Sequence, residues 1–320
     1  MEKFGRKILI AGILSALLLS GTWAAMPERL IPGGDTIGLE LDPDGVSVVE
    51  LSKDCSDKVG FRSGDLICKI NGGQISSVQQ LRQAVQASGG KLMEIAVIRN
   101  GEEKILRLSP LQTAEGWKLG IYVRDGLKGI GTVTYYEEDG DFGALGHGVS
   151  GGEGSGLMPL EGGSVTRAEV ASVVKGEAGK PGYLRGAWEE GTSCGQVERN
   201  TTRGIFGKMD KGTTGAIPVG DASGVRKGAA EIRSTVQGRE LRTYRVEICE
   251  ICETETNDRN LLLRVTDPAL LETTGGIVQG MSGSPIIQDG KLIGAVTHVL
   301  VDDPTMGYGI FIENMLDAAA

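Results

Sequence analysis

The chain has 320 residues, 40% of them hydrophobic and only 4% aromatic, with 51 glycines and a net charge of −9. At roughly 100–200 residues per domain, that length suggests two domains. An acidic chain without a basic stripe argues against a nucleic-acid partner, and abundant glycine with few long helical patterns favours turn-rich β structure over a helical bundle.

Lys3, Arg6 and Lys7 precede an apolar run over residues 8–19, and small residues follow up to Ala25. A positive flank, an apolar stretch and a small-residue end are the layout of an export signal. The run is also just long enough for a membrane anchor. Residues 1–25 are expected to form one or the other, with the remaining chain exported.

The turn-rich Ile31-Pro32-Gly33-Gly34 follows. Residues 37–41 and 46–51 read as strands separated by Asp42-Pro43-Asp44-Gly45, a strong turn signal. Residues 66–70 read as a strand closed by the tight turn Asn71-Gly72. Ser76-Ser77 can cap a helix with apolar Val78, Leu81 and Val85, ending at Gly89-Gly90. Residues 93–99 and 104–108 alternate as a hairpin around Asn100-Gly101. This order resembles a PDZ domain, through Ile37-Gly38-Leu39, Gly64-Asp65-Leu66-Ile67 and Ile70-Asn71-Gly72. The resemblance implies a peptide-binding groove, filled by strand addition, with Ile37, Gly38 and Leu39 at the loop that catches a terminal carboxylate.

From Trp117 onward the chain is a succession of short β-like runs, at 131–136, 215–219, 261–265, 276–278 and 292–301, with glycine-rich turns between them. No helical pattern alternates with them, so a β-barrel or sandwich of about 200 residues fits. Residues 149–163 read as a glycine-rich surface loop. The expected fold is mainly β: the N-terminal signal or anchor helix, a PDZ-like α+β domain over 26–112, and a β-barrel domain over 113–320. Five cysteines (Cys55, Cys68, Cys194, Cys249 and Cys252) do not make a complete internal disulfide set. Cys249 and Cys252 sit in a strand-like run, where residues three apart face opposite ways, so no metal is expected between them.

Gly280-Met281-Ser282-Gly283-Ser284-Pro285 ahead of a hairpin turn at Gln288-Asp289-Gly290 is the most informative stretch. Its form resembles the nucleophile loop of trypsin-like peptidases. Flanking glycines allow a sharp turn whose N–H groups converge on an oxyanion. That implies Ser282 as nucleophile, with Ser284 as the competing choice, and the N–H groups of Gly280 and Ser282 as oxyanion hole. A serine needs a base, and the chain has only two histidines. His147, in Gly146-His147-Gly148 at a loop edge, is favoured over His298, which lies within a strand-like run. Asp267, fifteen residues before Ser282, is the candidate orienting acid, and Asp139, Asp141 and Asp221 are alternatives. The order His147, Asp267, Ser282 is the chymotrypsin-like one.

Together these pieces resemble the stage IV sporulation protein B peptidase family of endospore-forming bacteria. The matching stretches are Ile31-Pro32-Gly33-Gly34, residues 117–125 and 129–135, Gly143-Ala144-Leu145-Gly146-His147, Gly204-Ile205-Phe206-Gly207 and residues 274–285. The resemblance implies a serine endopeptidase without cofactor, acting between the two forespore membranes. Such peptidases cleave a regulator of an intramembrane protease, triggering pro-sigma-K processing, and cleave themselves. His147, Asp267 and Ser282 fall on the family's triad positions. The glycine-rich run after His147 departs from the family, where an acidic residue often follows shortly after the Gly-His motif. A non-catalytic PDZ scaffold and a general exported quality-control protease are the alternative readings.

Overall fold

A computed structural model describes residues 26–52, 60–151, 156–189, 191–210, 215–252 and 258–320. The signal or anchor expected over 1–25, and Cys55, lie outside these residues. No described helix is long and apolar enough to cross a membrane.

The chain starts in a sheet with β1 (Arg29–Pro32) and β2 (Thr36–Pro43). At Asp44-Gly45 it leaves that sheet for a separate α+β unit. This unit comprises β3 (Val46–Leu51), β4 (Leu66–Ile70), β5 (Gly73–Gln74), helix α1 (Val78–Ala87), β6 (Met93–Arg99), β7 (Glu102–Leu108), the small hairpin β8 (Leu111–Thr113) and β9 (Gly116–Lys118), and β10 (Ile121–Arg124). Its main sheet runs β10-β3-β4-β6-β7, with β5 beside β4. Ser77 caps α1 by accepting from the Gln80 N–H, and Leu81 and Val85 face the core. On β6, Met93, Ile95 and Val97 are fully buried, each side chain contributing about 1.5–3 kcal/mol by burial. Asn100 and Gly101 both have positive φ and join Arg99 to Glu102 directly, the geometry a two-residue hairpin turn requires.

β11 (Leu127–Tyr136) then returns to the first sheet and pairs antiparallel with β2, Leu41 opposite Leu127 and Thr36 opposite Thr132. β12 (Asp141–Ala144), β13 (Leu160–Arg167), the hairpin β14 (Glu169–Val174) and β15 (Tyr183–Ala187), β16 (Gly195–Thr201), β17 (Gly204–Met209) and β18 (Ile217–Pro218) follow. Six of these strands pair in a ring, β2-β11-β12-β17-β16-β13. Val133, Tyr136, Phe142, Val165 and Ile205 fill it.

The second barrel is β19 (Gly228–Thr235), β20 (Leu241–Ile251), β21 (Leu261–Val265), β22 (Pro285–Gln288), β23 (Lys291–Leu300) and β24 (Asp303–Phe311), closed in the order β19-β20-β21-β24-β23-β22. Helix α2 (Pro268–Thr274) lies between β21 and β22, and α3 (Ile312–Ala319) ends the chain. Ile232, Val246, Leu263, Ile286 and Val296 form the core. Cys249 lies on β20 and Cys252 just after it.

The architecture is mainly β with two six-stranded barrels, and the strand pairing revises two sequence expectations. The α+β sheet spans Val46 to Arg124 and is inserted between β2 and β11, so the expected boundary at 112/113 does not follow the pairing. The turn read at Asp42-Pro43-Asp44-Gly45 is where the chain leaves the barrel, since β2 and β3 belong to different sheets. The supposed surface loop over 149–163 ends in β13, whose residues pair with β2 and β16.

Candidate active site

The loop carrying Ser282 is built by backbone constraint. Gly280 and Gly283 have φ of +100° and +96°, values a side-chain-bearing residue rarely adopts. A Cβ on Gly283 would sit 2.0 Å from the Thr132 carbonyl oxygen, so only glycine lets the loop lie against β11. That strand grips the loop through two fully buried threonines. Thr132 Oγ1 donates to the Gly280 carbonyl at 2.8 Å, and the Thr132 N–H to the Ser282 carbonyl at 3.1 Å. Thr134 Oγ1 donates to the Gly283 carbonyl at 2.8 Å. From the other side the Gly283 N–H donates to the Val296 carbonyl on β23 at 2.7 Å. The first barrel thus positions a loop of the second.

Within this loop the two serines part ways. Ser284 is fully buried, and its Oγ bonds Ser234 Oγ at 3.0 Å. Ser282 lines a cleft of about 500 Å³ between the barrels. Its Oγ–H donates to the Thr297 carbonyl at 2.6 Å. The N–H groups of Gly280 and Ser282 donate to no described group and adjoin the same cleft.

His147 faces that cleft from the first barrel. It follows β12 through Leu145 and Gly146, with φ of +69° and +67°. A leucine in that region is strained. The buried Leu145 is held there by its N–H bond to the Thr132 carbonyl, and Gly131, where a Cβ would sit 2.1 Å from Leu145 Cδ2, makes room for it. This backbone reversal carries His147 out of the barrel wall. Its Nδ1 lies 2.9 Å from the Gly148 carbonyl oxygen. A carbonyl only accepts, so Nδ1 carries the proton, and in the neutral ring Nε2 is left unprotonated and able to accept. Burial lowers the pKa of His147, opposed by the Gly148 carbonyl.

His298, on β23, also lines the cleft, its ring centroid 5.0 Å from that of His147. It keeps solvent contact, yet burial, His147 and Arg259 push its pKa down to about 4. No hydrogen bond fixes its ring among the described residues. Its strand position hid its place beside His147, since sequence alone does not reveal which face of β23 meets the first barrel.

Asp267 is not brought to this cleft. It is the N-cap of α2, with Oδ1 accepting from the Ala269 N–H at 3.0 Å and the Leu270 N–H at 3.4 Å. Its Oδ2 accepts from the Arg245 N–H at 3.3 Å and faces the Arg245 guanidinium at 3.5 Å. Partial burial works against its charge, but the N–H groups of Arg245, Leu270 and Ala269 hold its carboxyl below the usual range. The alternative acids are also engaged elsewhere. Asp141 pairs with Lys208, Asp139 accepts from the Asp141 N–H, and Asp221 caps the short turn at Ala222–Gly224. Among the described residues no carboxylate lines the cleft. The group that orients His147 is the Gly148 carbonyl.

Ile37, Gly38 and Leu39 are also displaced from their expected role. They lie on β2, paired with β11 and β13, and Leu39 lines the cleft beside Ser282. In the α+β unit, a groove of about 660 Å³ runs between α1 and the edge strand β10. Val78, Leu81 and Val85 form one wall, and Ile121 and Val123 the other. Leu119-Gly120-Ile121 closes this groove with Gly120 at φ +71°. That segment repeats the apolar-Gly-apolar form of Ile37-Gly38-Leu39, and its place after the helix was the signal that separates the two.

Residues 115–316, well over half of the chain, match the model of the SpoIVB peptidase S55 family, and residues 56–99 match a PDZ domain. Among solved structures, the HtrA-type protease AlgW with a tripeptide is 14% identical at a TM-score of 0.36, with 60% of this chain and 55% of that one covered. An inactive form of Rv3671c from M. tuberculosis H37Rv is 15% identical at a TM-score of 0.32, with 60% of this chain and 81% of that one covered. The chain spans about half the length of AlgW. The family match takes in both His147 and the loop of Ser282, and the chain belongs to the SpoIVB peptidase S55 family.

Proposed function

We propose that this chain is an exported serine endopeptidase of sporulation signalling. In this reading it cleaves a regulator of an intramembrane protease, is tethered or secreted through its N-terminal segment, and cleaves itself. One observation carries the chemistry: Ser282 sits in the same cleft as a histidine whose Nδ1 is already committed, beside two N–H groups that donate to nothing among the described residues.

In the first step the Ser282 hydroxyl turns from the Thr297 carbonyl toward His147, a rotation about one side-chain bond. Catalytic hydrogen bonds commonly tighten only with substrate present. Oγ attacks the substrate carbonyl carbon as Nε2 takes its proton. The oxyanion is received by the N–H groups of Gly280 and Ser282, each such donor giving about 10²–10³ in rate. The imidazolium, steadied by the Gly148 carbonyl at Nδ1, then hands its proton to the leaving amine. Water releases the acyl group by the reverse sequence. The groove between α1 and β10 would bind a peptide terminus by strand addition along the unpaired edge of β10.

The test is to incubate the protein and its Ser282→Ala variant with the exported domain of such a regulator and, separately, with unfolded casein. Cleavage of the regulator by the parent protein alone, with casein intact, is the expected result. Degradation of casein as fast as the regulator would favour a quality-control protease.

A further inference from the structure

The cleft around Ser282 has two sides that the chemistry distinguishes. The carbonyl under attack must place its oxygen at the Gly280 and Ser282 N–H groups, so the residue that supplies it lies against the second barrel. The leaving amine must reach His147, so the residue after the scissile bond lies against the first barrel. On the carbonyl side the walls are Ile277, Val278, Val299 and Val301, with Pro181 from the loop joining β14 and β15. That loop is pinned in place. The Gly179 N–H donates to the Val301 carbonyl and the Gly176 N–H to the Thr274 carbonyl, both at 2.9 Å.

No Asp, Glu, Lys or Arg lines the cleft on either side among the described residues. Next to Ile277 the backbone also admits no side chain. Gly276 has φ +139°, and a Cβ there would sit 2.1 Å from the Pro304 carbonyl oxygen. A carboxylate that could receive a basic side chain therefore has no place to stand at that position. A charged side chain entering these walls would lose water and gain no opposite charge, whereas an aliphatic one would replace water against aliphatic carbon.

We infer that the peptidase cleaves after an aliphatic residue, whose side chain is received by Ile277, Val278, Val299 and Val301. This rests on the serine-peptidase reading proposed above, and the test separates the two. The full-length protein is reacted with peptidyl phosphonate esters that differ only in the side chain next to phosphorus: Leu, Ala, Lys or Asp. A plain alkyl fluorophosphonate, which carries no such side chain, is run beside them. The leucyl reagent should label Ser282 about 10-fold faster than the alanyl one, the scale of a few methylenes in an apolar pocket, and at least about 100-fold faster than the lysyl and aspartyl ones. Val299→Asp, a change at a half-buried strand position, should lower the leucyl rate and raise the lysyl rate. Equal rates across the four side chains, including equally undetectable ones, or a lysyl or aspartyl preference, would overturn the inference while fluorophosphonate labelling persists. Loss of fluorophosphonate labelling as well would count against the peptidase reading itself.

Discussion

The two apolar grooves of this molecule are made differently. The cleft at Ser282 lies between two closed barrels, and the loop it depends on is clamped by Thr132 and Thr134 on one side and by the Val296 carbonyl on the other. The groove at α1 borders β10, the edge of an open sheet, which among the described residues pairs with β3 alone. Bond-breaking needs donors and nucleophile fixed to within fractions of an ångström. Strand addition needs the reverse, a row of backbone groups left without partners. The inserted domain therefore has the edge that the barrels lack, and the barrels have the rigidity that the edge cannot give.

The two grooves can be separated by experiment. The largest expected effect at the cleft is His147→Ala, which should lower kcat/KM for a peptide ester by about 10³, within the usual range for a general base. His298→Ala, with its ring anchored by no hydrogen bond, should cost about 10-fold. Equal losses in steady-state assays would show that the two histidines share the role.

The pH profile sharpens the same point. Burial lowers the His147 pKa, so the neutral, basic form persists below the ordinary histidine value of about 6.5. Activity should be above half its maximum at pH 6.5 and fall as the pH drops through the lowered value. An acid limb centred above 6.5 would contradict the desolvated base.

At the groove, Lys118→Asp would place a carboxylate beside Leu119-Gly120-Ile121, the end of the groove where a peptide's terminal carboxylate would dock. Binding of a fluorescent peptide with a free C-terminus should weaken about 10-fold by anisotropy, with ester turnover unchanged. An equal effect on an amidated peptide would argue that the groove does not read the terminus.

The smallest effect belongs to Asp267→Asn. Asn caps a helix about as well as Asp, so Tm should shift by a few degrees or less, with kcat/KM within about threefold. An orienting acid in its place would lose about 10⁴.

The contrast between Asp267 and Ser282 also marks what the sequence could convey. The shape of the serine loop was legible because local glycines dictate it, and the same residues carry the proposed chemistry. His147 was legible because only two histidines exist and one of them sits in a glycine-flanked loop. Asp267 has two local meanings, an acid at a strand end and an Asp-Pro helix start with Gly275 as its left-handed terminus. The second is the one the chain adopts, and Asp-Pro followed by a glycine stop was its signal. Ile37-Gly38-Leu39 was misplaced for a non-local reason. Its partner Gly129–Gly131 on β11 lies beyond the whole inserted domain, and no local pattern announces a pairing across an insertion. The hairpin at Asn100-Gly101 and the cap at Ser77 involve only neighbours, and both formed as read.

The central claim is that Ser282 is an activated nucleophile served by His147 without Asp267. Fluorophosphonate labelling rates of the parent protein, Ser282→Ala, His147→Ala and Asp267→Asn test it most directly. The account predicts rapid labelling of the parent and of Asp267→Asn, labelling slowed about 10³ in His147→Ala, and none in Ser282→Ala. Labelling that survives in Ser282→Ala, or that is lost in a folded Asp267→Asn, would contradict it.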